Sequence, residues 1–159
     1  MHGGGFVALS SRSMQNYTRK WANELGVPII SIDYRMPPEH PFPQAPHDCL
    51  TVYKFLLEHL HHYLNIKPTS IYLAGDSAGG SLACVLTGMI LKEKLPIPNG
   101  LYLTYPATDL RHIFSLSKLY AITDPLLWPS MLLLCLDSYL KGDLSKSDDP
   151  LASPILLTE

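Results

Sequence analysis

Apolar residues fall at helical spacing at Met14, Tyr17, Trp21 and Leu25 with polar and charged residues between them, which predicts an amphipathic helix over residues 13–25. Gly26-Val27-Pro28 ends it, and the run at 29–34 reads as a strand, giving one αβ unit. Five prolines between Pro37 and Pro46 make the next stretch a loop, and a helix follows from about residue 45 to residue 64, closed off by Pro68. Ile71, Tyr72 and Leu73 mark a short buried strand at 70–74, and residues 77–92 are mostly small and apolar at helical spacing. Residues 95–100 turn the chain, and 101–105 read as a third strand. Pro125 and Pro129 bracket the start of a helix through about Leu140, whose apolar run 131–136 is far too short to span a bilayer.

Two features stand apart from this periodic pattern. Three consecutive glycines, Gly3 to Gly5, follow His2, and such a run presents backbone N–H groups without side chains in the way. A phosphate or an oxyanion would use them, but neither phosphate-loop pattern, Gly-x-x-x-x-Gly-Lys-Ser/Thr nor Gly-x-Gly-x-x-Gly, is present. The second feature is Gly75-Asp76-Ser77-Ala78-Gly79, between a predicted strand and a predicted helix. Gly-x-Ser-x-Gly in that setting is a nucleophile elbow, whose serine needs small residues two positions to either side. Attack of Ser77 Oγ on an ester carbonyl places negative charge on the carbonyl oxygen. The N–H groups of Ala78, Gly4 and Gly5 are the expected donors to that oxygen, each worth roughly 3 to 4 kcal/mol of barrier.

His2-Gly3-Gly4-Gly5, then Asp33-Tyr34-Arg35 leading into Pro38-Glu39-x-Pro41-Phe42-Pro43, then Gly75 to Gly80, together resemble the hormone-sensitive lipase family of α/β hydrolases. The resemblance spans nearly the whole chain. It implies an α/β-hydrolase fold, a mostly parallel sheet flanked by helices, truncated at both ends. Residues 1–159 would then be a partial catalytic domain, a fragment running from the oxyanion loop through the segment after the nucleophile helix. It implies a carboxylic-ester substrate, an acylglycerol, a cholesteryl ester or a short acyl ester, with peripheral association with lipid droplets. His2 would brace the oxyanion loop rather than transfer protons. Family members carry a strand before the glycine run, between the strands read at 29–34 and 70–74, and continue past Ser153-Pro154 into strands bearing the acid and the base. Their long N-terminal region and regulatory insertion have no counterpart here, so hormonal control is not implied. The stretch Tyr34-Arg35-Met36-Pro37-Pro38 departs from the family's small residue before Pro-Glu, beneath the oxyanion loop.

Acid and base are the problem the residues pose. The triad order is Ser, then Asp or Glu, then His, and His112 is the only histidine after Ser77. Asp109 and His112 lie three apart on one short loop, which rarely gives the geometry a serine-directed imidazole needs. His40, His47, His59, His61 and His62 precede the nucleophile. The last three cluster near a helix C-terminus, where a solvated cationic end explains them better than a zinc site. The competing reading of the chain is a catalytically dead remnant that keeps an acyl-binding or interaction role.

Composition narrows the partners. With 12 basic and 14 acidic residues the net charge is -2, and no basic patch argues for nucleic acid. A hydrophobic content of 47% supports one domain with its own core. Cys49, Cys84 and Cys135 are odd in number and set in apolar stretches, so they read as buried free thiols of a reducing, cytoplasmic compartment. No cofactor or metal is expected. Pro38-x-x-Pro41 and Pro43-x-x-Pro46 have the spacing of a polyproline ligand, but a rigid strand-to-helix loop explains the same prolines.

Overall fold

The computed structural model describes residues 1–124 and 126–158, the side chains of Ser117 and Lys118 apart. Its centre is a parallel pair of strands, β1 (Tyr72–Asp76) and β2 (Gly100–Thr104), in the register Tyr72↔Gly100 through Asp76↔Thr104. Helix α3 (Ala78–Lys92) follows β1 directly and packs on both strands, and helix α2 (Gln44–Leu64) packs on α3. The opposite face carries helix α1 (Gln15–Leu25). There the Trp21 ring meets Tyr102 of β2 edge-on at 5.7 Å, and the Tyr17 hydroxyl reaches Asp76 of β1. Helices α4 (Leu116–Tyr120) and α5 (Pro129–Leu140) come later in the chain.

Helix α3 is apolar on nearly every side because it lies between the sheet and α2. Leu82, Ala83, Val85, Leu86 and Ile90 are buried, joined by Cys49, Leu50 and Tyr53 of α2 and by Leu136, Tyr139 and Leu140 of α5. Burying a large aliphatic side chain is worth about 1.5 to 3 kcal/mol, so this helix is the main source of cohesion. Among the described residues no helix is long and apolar enough to cross a membrane.

The predicted helices at 45–64 and 77–92 and the two strands are found within two residues of their expected bounds. Three readings change. The stretch 29–34 is not a strand, because it has no ladder partner among the described residues. What lies between it and β1 is Met1 to Gly3: the Met1 amino group donates to Ala74 O at 2.7 Å and the Tyr34 hydroxyl to His2 O. Ile29 and Ile30 are exposed. The first helix begins at Gln15 after a 3-10 turn (Ser11–Met14), and Leu25, read as part of the buried face, lies in solvent at the helix end. The last predicted helix forms from Pro129, whereas Pro125 lies outside the described residues.

The proline-rich loop is built into the core. Pro37, Phe42 and Pro46 are buried, and Phe42 N–H donates to Tyr139 O at 2.8 Å, so a rigid loop, not a free polyproline ligand, accounts for the prolines. Cys49 and Cys135 are buried and Cys84 half-buried, all as free thiols, and burial pushes the Cys49 thiol up to about 12.

Candidate active site

Ser77 occupies the single residue between β1 and α3, at φ 52° and ψ -118°. A serine with positive φ is strained by about 1 to 3 kcal/mol and persists only where its surroundings enforce it. Here the strand's hydrogen bonding continues through Ser77 N–H to Thr104 O at 2.9 Å, while Ser77 O already accepts from Ser81 N–H of the helix at 3.1 Å. The two glycines flanking the serine are required for space. A β-carbon on Gly75 would run into the backbone of Gly79, and one on Gly79 into the carbonyls of Met1 and His2. The Ala78 N–H opens the helix and so lacks an intrahelical acceptor.

The glycine run lies against this elbow. Gly3 N–H donates to Asp76 Oδ1 at 3.1 Å, and Val7 and Ala8 N–H groups close a turn on Gly4 O at 3.1 and 3.0 Å. Gly4 and Gly5 both have positive φ, 108° and 63°, and Gly5 sits so close to Cys135 of α5 that a β-carbon would meet its Sγ at 2.8 Å. Phe6, next along, stacks on Tyr139 at 4.1 Å. Among the described residues neither the Gly4 nor the Gly5 N–H has an acceptor.

Each residue of Asp33-Tyr34-Arg35 holds a different part of this loop in place. The Asp33 carboxylate accepts from Ser11 N–H at 2.6 Å and Ser11 Oγ at 2.7 Å, which keeps its pKa below the usual range. The Tyr34 hydroxyl donates to His2 O at 2.7 Å, and its ring stacks on the His2 imidazole at 4.3 Å. Burial pushes the Tyr34 phenol well above its ordinary value, so it remains a donor. Arg35 Nη2 and Nε donate to Asp48 of α2, the former at 2.7 Å. Tyr34→Phe leaves a buried carbonyl without its donor. The expected loss is about 1 to 3 kcal/mol, measured by urea unfolding. Pro37, which stands where the family has a small residue before Pro-Glu, is buried.

His2 is buried with Nδ1 2.8 Å from Gly3 O, an acceptor, so Nδ1 carries the proton. Its Nε2 has no hydrogen bond and lies 3.9 Å from Asp33 Oδ1. The imidazole thus serves its own loop. His112 is exposed, and Asp109 accepts from Arg111 Nε and Nη2, both at 2.9 Å, so neither is engaged with Ser77. No described residue forms a hydrogen bond with Ser77 Oγ. His61 and His62 form the last turn of α2, which Asn65 caps in the left-handed conformation. Among the described residues no group of three or more metal-ligating side chains could hold an ion.

Sequence reasoning missed two residues at this site. Asp76 stood inside the elbow motif, but only as its unspecified position. Tyr17 was placed on a helix face with nothing to mark its hydroxyl.

A strained serine between a strand and a helix, with an uncommitted glycine loop held against it, is the arrangement of an α/β hydrolase. Residues 1–158 match the family model for the alpha/beta hydrolase fold, and the chain belongs to that family. More particularly, its ancestry lies among the carboxylesterases and lipases of the hormone-sensitive lipase family. It is 44% identical over 138 residues to hormone-sensitive lipase of Homo sapiens, covering 87% of this chain and 13% of that protein. A hyperthermophilic esterase from the archaeon Pyrobaculum calidifontis is similar with a TM-score of 0.92 at 31% identity, over 99% of this chain and 52% of that one. A hormone-sensitive lipase from a metagenome library gives 0.83 at 33%, over 98% and 50%. The chain therefore spans about half the length of these two solved structures and a much smaller share of the human lipase.

Proposed function

We propose that Ser77 is the nucleophile of a carboxylic-ester hydrolase centre, with Gly4, Gly5 and Ala78 as its oxyanion donors. The observation that carries this is the pairing of a serine held at positive φ with N–H groups that have no acceptor among the described residues. In the reaction, Ser77 Oγ would add to the ester carbonyl while its proton passes to a base. The oxyanion would collect hydrogen bonds from preorganised backbone, and collapse would expel the alcohol and leave an acyl-serine for water to cleave. The substrate we assign is a lipid ester, in keeping with relatives that are named lipases and esterases. The family resemblance supports a cytoplasmic setting and peripheral contact with lipid droplets.

In this reading the described residues supply a nucleophile and oxyanion donors, and none of them is hydrogen-bonded to Ser77 Oγ as a base. Covalent trapping is therefore a better test than turnover. A phosphonofluoridate incubated with the chain for hours is expected to leave one phosphonyl group, mapped by mass spectrometry to Ser77 and absent from Ser77→Ala. The oxyanion donors stabilise charge on the phosphoryl oxygen of a probe attacked by the hydroxyl beside them, so Ser77 is expected to react ahead of the other hydroxyl groups of the chain. Adducts scattered over several hydroxyl groups of a folded chain would refute the assignment.

A further inference from the structure

The proposed oxyanion hole is assembled from two segments distant in the chain: Gly4 and Gly5 on the glycine loop, and Ala78 at the start of α3. Donors that act on one oxygen must be held in register with each other to within about half an ångström. A direct hydrogen bond joins the two segments next to both sets of donors. Asp76 immediately precedes Ser77, Gly3 immediately precedes Gly4, and the Asp76 carboxylate accepts the Gly3 N–H at 3.1 Å. The same carboxylate lies so close to Gly3 that a β-carbon there would overlap its second oxygen. On its outer side the Tyr17 hydroxyl of α1 donates to Asp76 Oδ1 at 3.4 Å. Burial and the neighbouring carboxylate push the Tyr17 phenol up to about 12, so it keeps its proton.

We propose that Asp76 is a positioning residue, whose carboxylate ties the glycine loop to the nucleophile elbow and sets Gly4 and Gly5 in register with Ala78. This rests on the reading of those three residues as oxyanion donors. The path from acceptor to donor is the shortest the chain offers: one residue from Asp76 to the nucleophile on one side, one from Gly3 to the first donor on the other. Tyr17 fixes the carboxylate from α1, so the sheet face opposite α3 contributes to the site without facing the substrate. The role also explains why an acid stands at this position of the elbow. A hydrophobic side chain there would leave the Gly3 N–H without an acceptor against the partly buried elbow.

The test compares the full chain with Asp76→Ala, Asp76→Asn and Tyr17→Phe, using two readouts. Amide hydrogen exchange at Gly3 reports the tether without reference to chemistry. The saturation kinetics of Ser77 phosphonylation separate probe affinity from the maximal rate. Asp76→Ala is expected to speed Gly3 exchange by about tenfold or more, the loss of a hydrogen bond to a charged acceptor. The same variant should lower the maximal phosphonylation rate by about ten- to a hundredfold with the probe's half-saturation concentration unchanged. Asp76→Asn keeps an acceptor oxygen and should recover most of both. If Asp76→Ala does not fold, Tyr17→Phe still decides the matter, since it should speed Gly3 exchange in the same direction. Wild-type exchange at Gly3 in these variants overturns the proposal, as does a rate loss confined to half-saturation. No adduct on Ser77 in the wild-type chain overturns the nucleophile reading and the catalytic sense of the tether with it. Gly3 exchange would then still show whether Asp76 holds the loop.

Discussion

The 159-residue chain is expected to hydrolyse a short p-nitrophenyl ester no faster than its Ser77→Ala variant, at a rate on the order of 10⁶ below that of a serine hydrolase with all three triad groups. The reason is that nucleophile and base act as one unit. Removing either costs about as much as removing both, so a chain without an engaged base has nothing further to lose at the serine. His2 is buried, and its Nε2, the nitrogen left to accept a proton, lies 3.9 Å from Asp33 Oδ1 and is not hydrogen-bonded to Ser77 Oγ. His112 is exposed, and the aspartate three residues before it is paired with Arg111. Parallel progress curves for the two chains, with a melt of each, make the comparison. A clear Ser77-dependent excess from a folded wild-type chain would mean that a base reaches Ser77 Oγ from within these residues, and His112→Ala would then be the next variant to measure. Equal rates combined with a Ser77-specific phosphonyl adduct are the pattern of a site with its nucleophile in place and its proton acceptor missing.

How far the sequence discloses this depends on how local each determinant is. Helix α3 was legible because its small and apolar residues are buried by what adjoins them, the sheet and α2, and the motif at 75–79 sits where two periodicities meet. The stretch 29–34 carries the composition of a strand, but pairing is a property of two segments, and among the described residues it has no ladder partner, Met1 to Gly3 lying on its β1 side. The same limit applies to the run 131–136. It reads as uniformly apolar, yet Leu133 and Leu134 face solvent while Leu136 is buried, a division set by where the glycine loop and Phe42 dock on α5. At the site, the identity of Ser77 and the need for small neighbours followed from local geometry. The anchoring of the loop by Asp76, Tyr34 and Cys135 did not, because those contacts join residues 32 to 130 positions apart whose side chains carry no periodic signal.

The glycines around the elbow offer a quantitative check on that geometry, because the space at each differs in kind. Gly75→Ala is expected to cost about 3 kcal/mol, at the upper end of the range for overpacking a filled interior. The new β-carbon would meet Gly79 O, Gly79 C and Gly80 N, all backbone at the first turn of α3, which cannot rotate away. Relief would require the helix to move off β1, opening the contact on which the Ser77 turn depends. Gly88, further along the same helix, makes the opposite case. Its nearest neighbours would be the two Cδ atoms of Leu157 at 2.9 Å, the far end of a flexible side chain. Replacing glycine by alanine in a helix interior gains about 1 kcal/mol of propensity, so Gly88→Ala should be neutral or mildly stabilising once Leu157 shifts. For a chain of this size the expected separation in melting temperature is about 6 to 16 °C, with Gly75→Ala the lower of the two. Thermal melts of both variants beside the wild type measure it. Equal stabilities would show that the start of α3 yields at Gly79 as readily as a leucine side chain does, and the close fit of helix to strand could no longer be what holds Ser77 at positive φ.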